Sequence, residues 1–164
     1  MILYHGSNVI VENPVIINNP NRTNDFWNAF YLTSNKRQAI KFSRIVYDRR
    51  NEGAPVVNQY WIDEERFSEL NIVNYEKPSI EWLDFVVACR SGNDPSTDVD
   101  IICGPVADDK VYRVIILYEQ GLISKDEAIK RMLVNKVYNQ LAFKTEKAIG
   151  MLKFLKAKEV TNDK

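Results

Sequence analysis

Tyr4-His5-Gly6-Ser7 sets an imidazole, a residue without a side chain and a hydroxyl next to one another near the start of the chain. His5 is the single histidine, so any step that needs an imidazole occurs there. A Ser/His pair elsewhere, or a metal site with several His ligands, cannot form. Gly6 admits another backbone or a flat ligand close to the chain, where its N–H and C=O can pair with a carboxamide, and Ser7 adds a hydroxyl beside it. Together they describe a receptor for an amide-bearing ring, although the tripeptide alone also fits a hydrogen-bonded histidine at a strand edge. A second pattern is Phe30-Tyr31-Leu32-Thr33, followed by Phe42 eleven residues after Tyr31. Aromatics leaving a strand end and the next helix can face each other across a slot and hold a planar ring such as nicotinamide between them. Core packing is the competing reading, and for Phe42, the first inward aromatic of a helical stripe, it is the favoured one.

These residues need a strand, a turn and a helix to hold them. Residues 2–4 are apolar and open onto Gly6 and Ser7, which reads as a short strand presenting His5 at its end. Residues 8–24 carry Asn and Pro turn chemistry and read as a loop. Residues 29–33 read as a strand, and Ser34 can cap a helix over 35–50 with Ala39, Phe42 and Val46 inward. Strands are expected at 55–62, 70–74, 99–103 and 138–143. A helix starting at Ser79 turns Ile80, Leu83 and Val87 inward, and Asp108 caps one whose face is Val111, Val114, Ile115 and Tyr118. Ser124-x-x-Glu127 is a capping box for a further helix, and 145–155 returns to helical spacing. The order is α+β without a regular βαβ repeat.

At 164 residues and 19.0 kDa, with 45% hydrophobic and 27% charged residues, the chain fits a single domain over 1–164 with its own core. Its 22 basic and 22 acidic residues cancel, which removes the electrostatic footprint of a protein that grips a phosphate backbone, so nucleic acid is not expected as a partner. Cys89 and Cys103 form no CxxC and suggest neither a zinc site nor a disulfide framework. There is no leader pattern and no apolar run of membrane-spanning length, so a cytoplasmic protein away from the membrane is expected.

YHGS (4–7), AFYLTSNKRQAIKF (29–42) and NQLAF (139–143) resemble, in order and spacing, the three sequence blocks of the His-Tyr-Glu branch of ADP-ribosyltransferases, the diphtheria-toxin and poly(ADP-ribose) polymerase side. Over nearly the whole chain, YHGS, DF...AFYLT, WLDFVVACR and DIICGPVADD resemble a family of small bacterial domains of unknown function considered ADP-ribosyltransferase-like. The resemblance implies a split, mostly antiparallel β-sheet with flanking helices and an NAD site between its halves. It implies that His5 hydrogen-bonds a ribose hydroxyl of NAD, that Gly6 holds the nicotinamide amide beside Ser7, and that Tyr31 and Phe42 sandwich the ring. It further implies NAD as the substrate and no metal.

The same resemblance places Gln140 where the family carries its catalytic glutamate, completing a trio with His5 and Tyr31. Ribosyl transfer builds positive charge on the sugar, and a carboxylate both stabilises it and activates the acceptor. An amide orients a hydroxyl but is no base near pH 7. Asp108, Asp109 and Glu146 could substitute, Asp108 doubling as a helix N-cap, and Asp25 reads equally as a turn acid or a site residue. Gln140→Glu is accordingly expected to raise nicotinamide release or automodification, general-base help typically contributing ~100-fold or more where the geometry suits. Trp27 and Ala29 stand where the small family tends to carry glycine; they would narrow the cleft mouth, or Trp27 would contact a partner. The implied function is mono-ADP-ribosyl transfer to a macromolecule, a protein first, as in a bacterial toxin or effector with a neutralising partner protein. A weakly catalytic NAD- or ADP-ribose-binding module and an NAD glycohydrolase are the alternatives.

Overall fold

The computed structural model describes residues 1–18, 24–134 and 138–161, without the Asp109 side chain. In chain order the elements are β1 (Ile2–Ser7), β2 (Phe30–Leu32), α1 (Lys36–Arg50), β3 (Val56–Trp61), a 3₁₀ turn (Glu64–Glu69), β4 (Ile72–Asn74), α2 (Ile80–Arg90), β5 (Ile101–Pro105), α3 (Asp109–Glu119), α4 (Lys125–Leu133), β6 (Asn139–Phe143), α5 (Glu146–Ile149) and β7 (Lys153–Glu159). The fold is α+β. An antiparallel sheet runs β1-β3-β7, and a mixed one runs β2-β6-β5-β4 with β4 and β5 parallel. Among the described residues the two sheets are joined by a bridge between Tyr4 and Thr33, whose N–H and C=O groups bond reciprocally at 2.8 and 2.9 Å.

Alternation along the strands builds two cores. Leu3 and Tyr60 from one sheet meet Phe30, Leu32, Ile101, Leu141 and Phe143 from the other, with Ala148 and Ile149 of α5 beside them. On the opposite face of the mixed sheet, Ile102 and Ala142 pack with Trp82, Leu83 and Val86 of α2, Val111 and Ile115 of α3, and Ala128 and Met132 of α4. Successive strand residues point to opposite faces, so Phe30 and Leu32 serve the first core while Tyr31 between them packs on the second.

Locally encoded features appear where the sequence puts them. Asp108 caps α3, its Oδ1 accepting from Lys110 and Val111 N–H at 3.1 and 3.0 Å, and Ser124 caps α4. The α1 cap is Asn35, not Ser34: its Oδ1 accepts from Arg37 and Gln38 N–H. In α2 the buried residues are Trp82, Leu83, Val86 and Cys89, and Ile80 faces solvent. The helix expected over 145–155 stops at Ile149. Lys153–Glu159 instead continues the first sheet as an edge strand against β3, and its outward lysines protect that edge. Here pairing with a distant strand overrides a local helical spacing.

Candidate functional site

The two strands that meet at Tyr4 and Thr33 diverge beyond that bridge. In an antiparallel ladder, residues facing the partner strand through their N–H and C=O alternate with residues facing away. Met1 bonds Ile62 in both directions at one end of the β1–β3 ladder, so Leu3, His5 and Ser7 turn their main-chain groups toward β3 in the same phase. Tyr4 turns the other way, into its bridge with Thr33. Gly6 shares the phase of Tyr4, and its N–H and C=O therefore face the seam between β1 and β2. Were the bridge to continue as a ladder, Tyr31 would sit opposite Gly6. In its place the His5 ring reaches across, with Nδ1 2.8 Å from the Tyr31 carbonyl oxygen.

That contact fixes the imidazole. A carbonyl only accepts, so Nδ1 carries the proton and Nε2 presents a lone pair. Burial pushes the His5 pKa down to about 4 against the opposing pull of the Tyr31 carbonyl, with the Arg50 charge adding to the depression, and the ring is neutral at pH 7. The ring also lies on Phe30, centroids 4.4 Å apart. Gly6 is buried against α1: a Cβ there would stand 2.2 Å from the Ala39 carbonyl oxygen and 2.7 Å from the Ser43 nitrogen. The close approach that Gly6 permits is thus already made by a helix backbone on one side, while its peptide groups face the seam. Ser7 is buried, and its Oγ accepts from Val9 N–H at 3.4 Å.

Phe42 does not join the core. It is 46% exposed, because α1 leans on β1 through its small residues Ala39 and Ser43 and position 42 falls beside that narrow stripe. The Tyr31 hydroxyl is committed to the preceding turn, donating to the Trp27 carbonyl at 2.6 Å and accepting from Phe26 N–H at 3.1 Å. Burial is the main cause of a Tyr31 pKa well above the ordinary phenol value. Trp27 is half-buried with φ 64°, a left-handed backbone in which glycine is free of the Cβ conflict.

Gln140 lies on the same face of β6 as Ala142, the register partner of Tyr31, so Gln140 and Tyr31 project from one side of the mixed sheet. Its amide nitrogen donates to Asp25 Oδ2 at 3.3 Å. His5 lies toward the other face, on Phe30, and no contact links it to Gln140 among the described residues. Asp25, which by sequence reads equally as a turn acid or a site residue, is the centre here. Its Oδ1 takes Arg90 Nε at 3.0 Å and Nη2 at 2.5 Å, with both side chains nearly buried, and its Oδ2 also accepts from Ala107 N–H at 3.0 Å. Arg90, not anticipated as a partner, further lies over the Tyr112 ring at 4.5 Å. Phe26, next in sequence, packs edge-on against Phe85 and occupies the space over Gly104, where a Cβ would be 2.7 Å from its ring. The blocks DF, WLDFVVACR, GPVADD and NQLAF therefore converge on one carboxylate.

Asp108 and Glu146 make no contact with this centre among the described residues. Asp108 is exposed and occupied as a cap, and Glu146 is exposed in the first turn of α5. Asp109 contributes backbone to α3, and its side chain lies outside the described residues. Cys89 and Cys103 are free thiols whose pKa values burial raises to about 12 and 11. Surface depressions of about 430 Å³ at Val87, Ser91 and Tyr118 and about 140 Å³ at Lys36, Ile40 and Val57 include none of the site residues. The seam is the stronger candidate, since there an oriented imidazole and a main-chain donor and acceptor converge.

Residues 1–154 match the model of a family described as "Protein of unknown function (DUF3990)". The chain belongs to this family. No curated protein and no solved structure matches it. Among the described residues of this DUF3990 member, no helix is long and apolar enough to cross a membrane.

Proposed function

We propose that this chain binds NAD across the seam between β1 and β2 and transfers ADP-ribose to a macromolecular acceptor. The observation that carries the reading is the orientation of Gly6 and His5. The Gly6 N–H and C=O face the seam in the spacing a carboxamide needs, and the His5 Nε2 lone pair is available to a ribose hydroxyl. On this reading Tyr31 and Phe42 would be the walls of the ring slot, and an arriving nicotinamide ring would cover the exposed face of Phe42. A protein acceptor suits a bacterial toxin or effector, and such an activity would call for a neutralising partner in the producing cell.

A second reading is favoured by Gln140. Its amide is held by Asp25, and Asp25 is itself neutralised by Arg90, so this pair offers the seam no free carboxylate to act as base. A weakly catalytic NAD-binding module fits that arrangement, and a glycohydrolase would require the same base to activate water.

The test is incubation of the purified chain with labelled NAD, reading self- and target modification by mass spectrometry, nicotinamide release, and affinity by calorimetry. Transfer supports the first reading, and affinity without turnover supports the second. His5→Ala is expected to weaken binding at least several-fold in a folded protein. Absence of NAD affinity in the wild type removes both.

A further inference from the structure

We infer that Asp25 and residue 140 form a pair with room for one negative charge, which Asp25 carries, and that Asp25 thereby sets the orientation of the residue-140 side chain. The pairing itself stands on the contacts; its bearing on ribosyl transfer rests on the function proposed above. An ionised carboxylate only accepts, so the group that Gln140 turns toward Asp25 must be its NH₂, and Oε1 is left pointing away as an acceptor. The four contacts to Asp25, two from Arg90, one from Ala107 N–H and one from Gln140, satisfy both of its oxygens. Reversing the amide would set two acceptors against each other in a nearly buried place. Gln140 thus offers a hydroxyl acceptor in a fixed direction, and Asp25 is a positioning residue that need not touch the ligand.

The same geometry changes what a carboxylate at position 140 would do. Gln140→Glu would put a second anion within hydrogen-bond reach of Asp25 Oδ2, with one guanidinium to serve both. Two carboxylates so placed share a proton, and one of them titrates far above its usual range. The titratable and charged groups around Asp25 are Arg90 and Cys89 from α2 and the Tyr31 hydroxyl from β2, with the Asp94–Lys144 ion pair facing the same Cys89 and Tyr31; the loop after β5 contributes the Ala107 N–H. Gln140→Glu alone therefore gives a carboxyl that is largely protonated or drawn into the pair, and the activity gain expected of a free base does not follow. Replacing Asp25 by Asn together with Gln140→Glu exchanges the partners and frees the charge for position 140.

The experiment compares the wild type, Gln140→Glu and Asp25→Asn/Gln140→Glu by NMR. With ¹³C-labelled glutamate, the residue-140 carboxyl in the single variant should titrate at least about one pH unit above the same carboxyl in the double variant. Equal midpoints would overturn the pair. Should either variant fail to fold, the wild type suffices: the Gln140 side-chain N–H that faces Asp25 should resonate downfield of a free amide and exchange slowly with solvent, and a free-amide shift with fast exchange would overturn the pair equally. Nicotinamide release from NAD is read on the same samples. Release greater in the double variant than in the single one supports the inference, and full release in the single variant contradicts it. The expected NMR result without any NAD binding upholds the pair and removes the proposed function instead.

Discussion

The seam and the Asp25 centre are built from the same chemistry and left in opposite states. At Asp25 the donors match the acceptors: Arg90, Ala107 N–H and the Gln140 amide fill both carboxylate oxygens, and Tyr112 covers the guanidinium. At the seam the ladder is interrupted after one bridge, an imidazole fills one place, and among the described residues the Gly6 peptide groups and His5 Nε2 take no partner. A saturated polar cluster fixes elements relative to one another, whereas an unsaturated one at a strand edge is a place for a ligand. The centre ties the 24–29 turn, α2, the loop after β5 and the start of β6 together, and in doing so it holds Tyr31 and its turn beside the seam.

The sharpest way to break the contrast is to unbalance the saturated side. Asp25→Ala leaves Arg90 nearly buried without its anion, and removal of one partner of such a pair costs about 3–5 kcal/mol. Thermal denaturation should show a fall in Tm on the order of 10 °C. A change of only a degree or two would mean that the centre is solvated and that its fixing role is wrong. Gly6→Ala attacks the seam's own support: its Cβ would collide with the α1 backbone at Ala39, an overpacking cost of about 1–3 kcal/mol or more. Denaturant unfolding measures it, and an unchanged midpoint would show that α1 yields freely.

His5 gives the next smaller effect, and its sign follows from the direction of its shift. The folded pKa of about 4 lies below the ordinary value of 6.5, so the unfolded chain binds more protons between these values and stability falls as pH drops through that window. Above pH 6.5 the effect vanishes. Allowing for the part of the ring that water reaches, it amounts to about 2 kcal/mol at pH 4. Chemical denaturation from pH 7 to 4 should show this slope in the wild type and a shallower one in His5→Gln; equal slopes would place the imidazole in solvent.

What is legible in the sequence follows the range of the interaction. Asp108 and Ser124 cap their helices as expected because a cap is decided within three residues, and the α+β order follows from short periodic runs. Residues 145–155 read as one helix and form a helix and a strand, because the decisive contacts come from β3, about a hundred residues earlier in the chain. The blocks containing Asp25, Arg90, Ala107 and Gln140 stand out individually in the sequence. Nothing local says that they meet, and an arginine ending an apolar helix is the available sign that a buried acid awaits it. Gly6 leaves room for a close approach, and the structure divides that room between α1 and the seam.

Phe42 carries the smallest effect on stability and separates two explanations of its place. Its helical spacing implies burial and a core-sized cost on truncation, but at 46% exposed it makes little of the core. Phe42→Ala should change the unfolding free energy by no more than about 0.5 kcal/mol, the usual range for surface substitutions. An aromatic kept at the surface, on the helix turn that abuts Gly6, has a reason to be there if a ring stacks on it. The same variant should then lose about 1 kcal/mol of NAD affinity, roughly a five-fold rise in Kd by calorimetry. Unchanged affinity with unchanged stability would leave Phe42 a bystander and confine recognition to Gly6, His5 and Tyr31. A large stability loss would instead show that α1 packs more deeply on the first sheet than its Ala39 and Ser43 stripe implies.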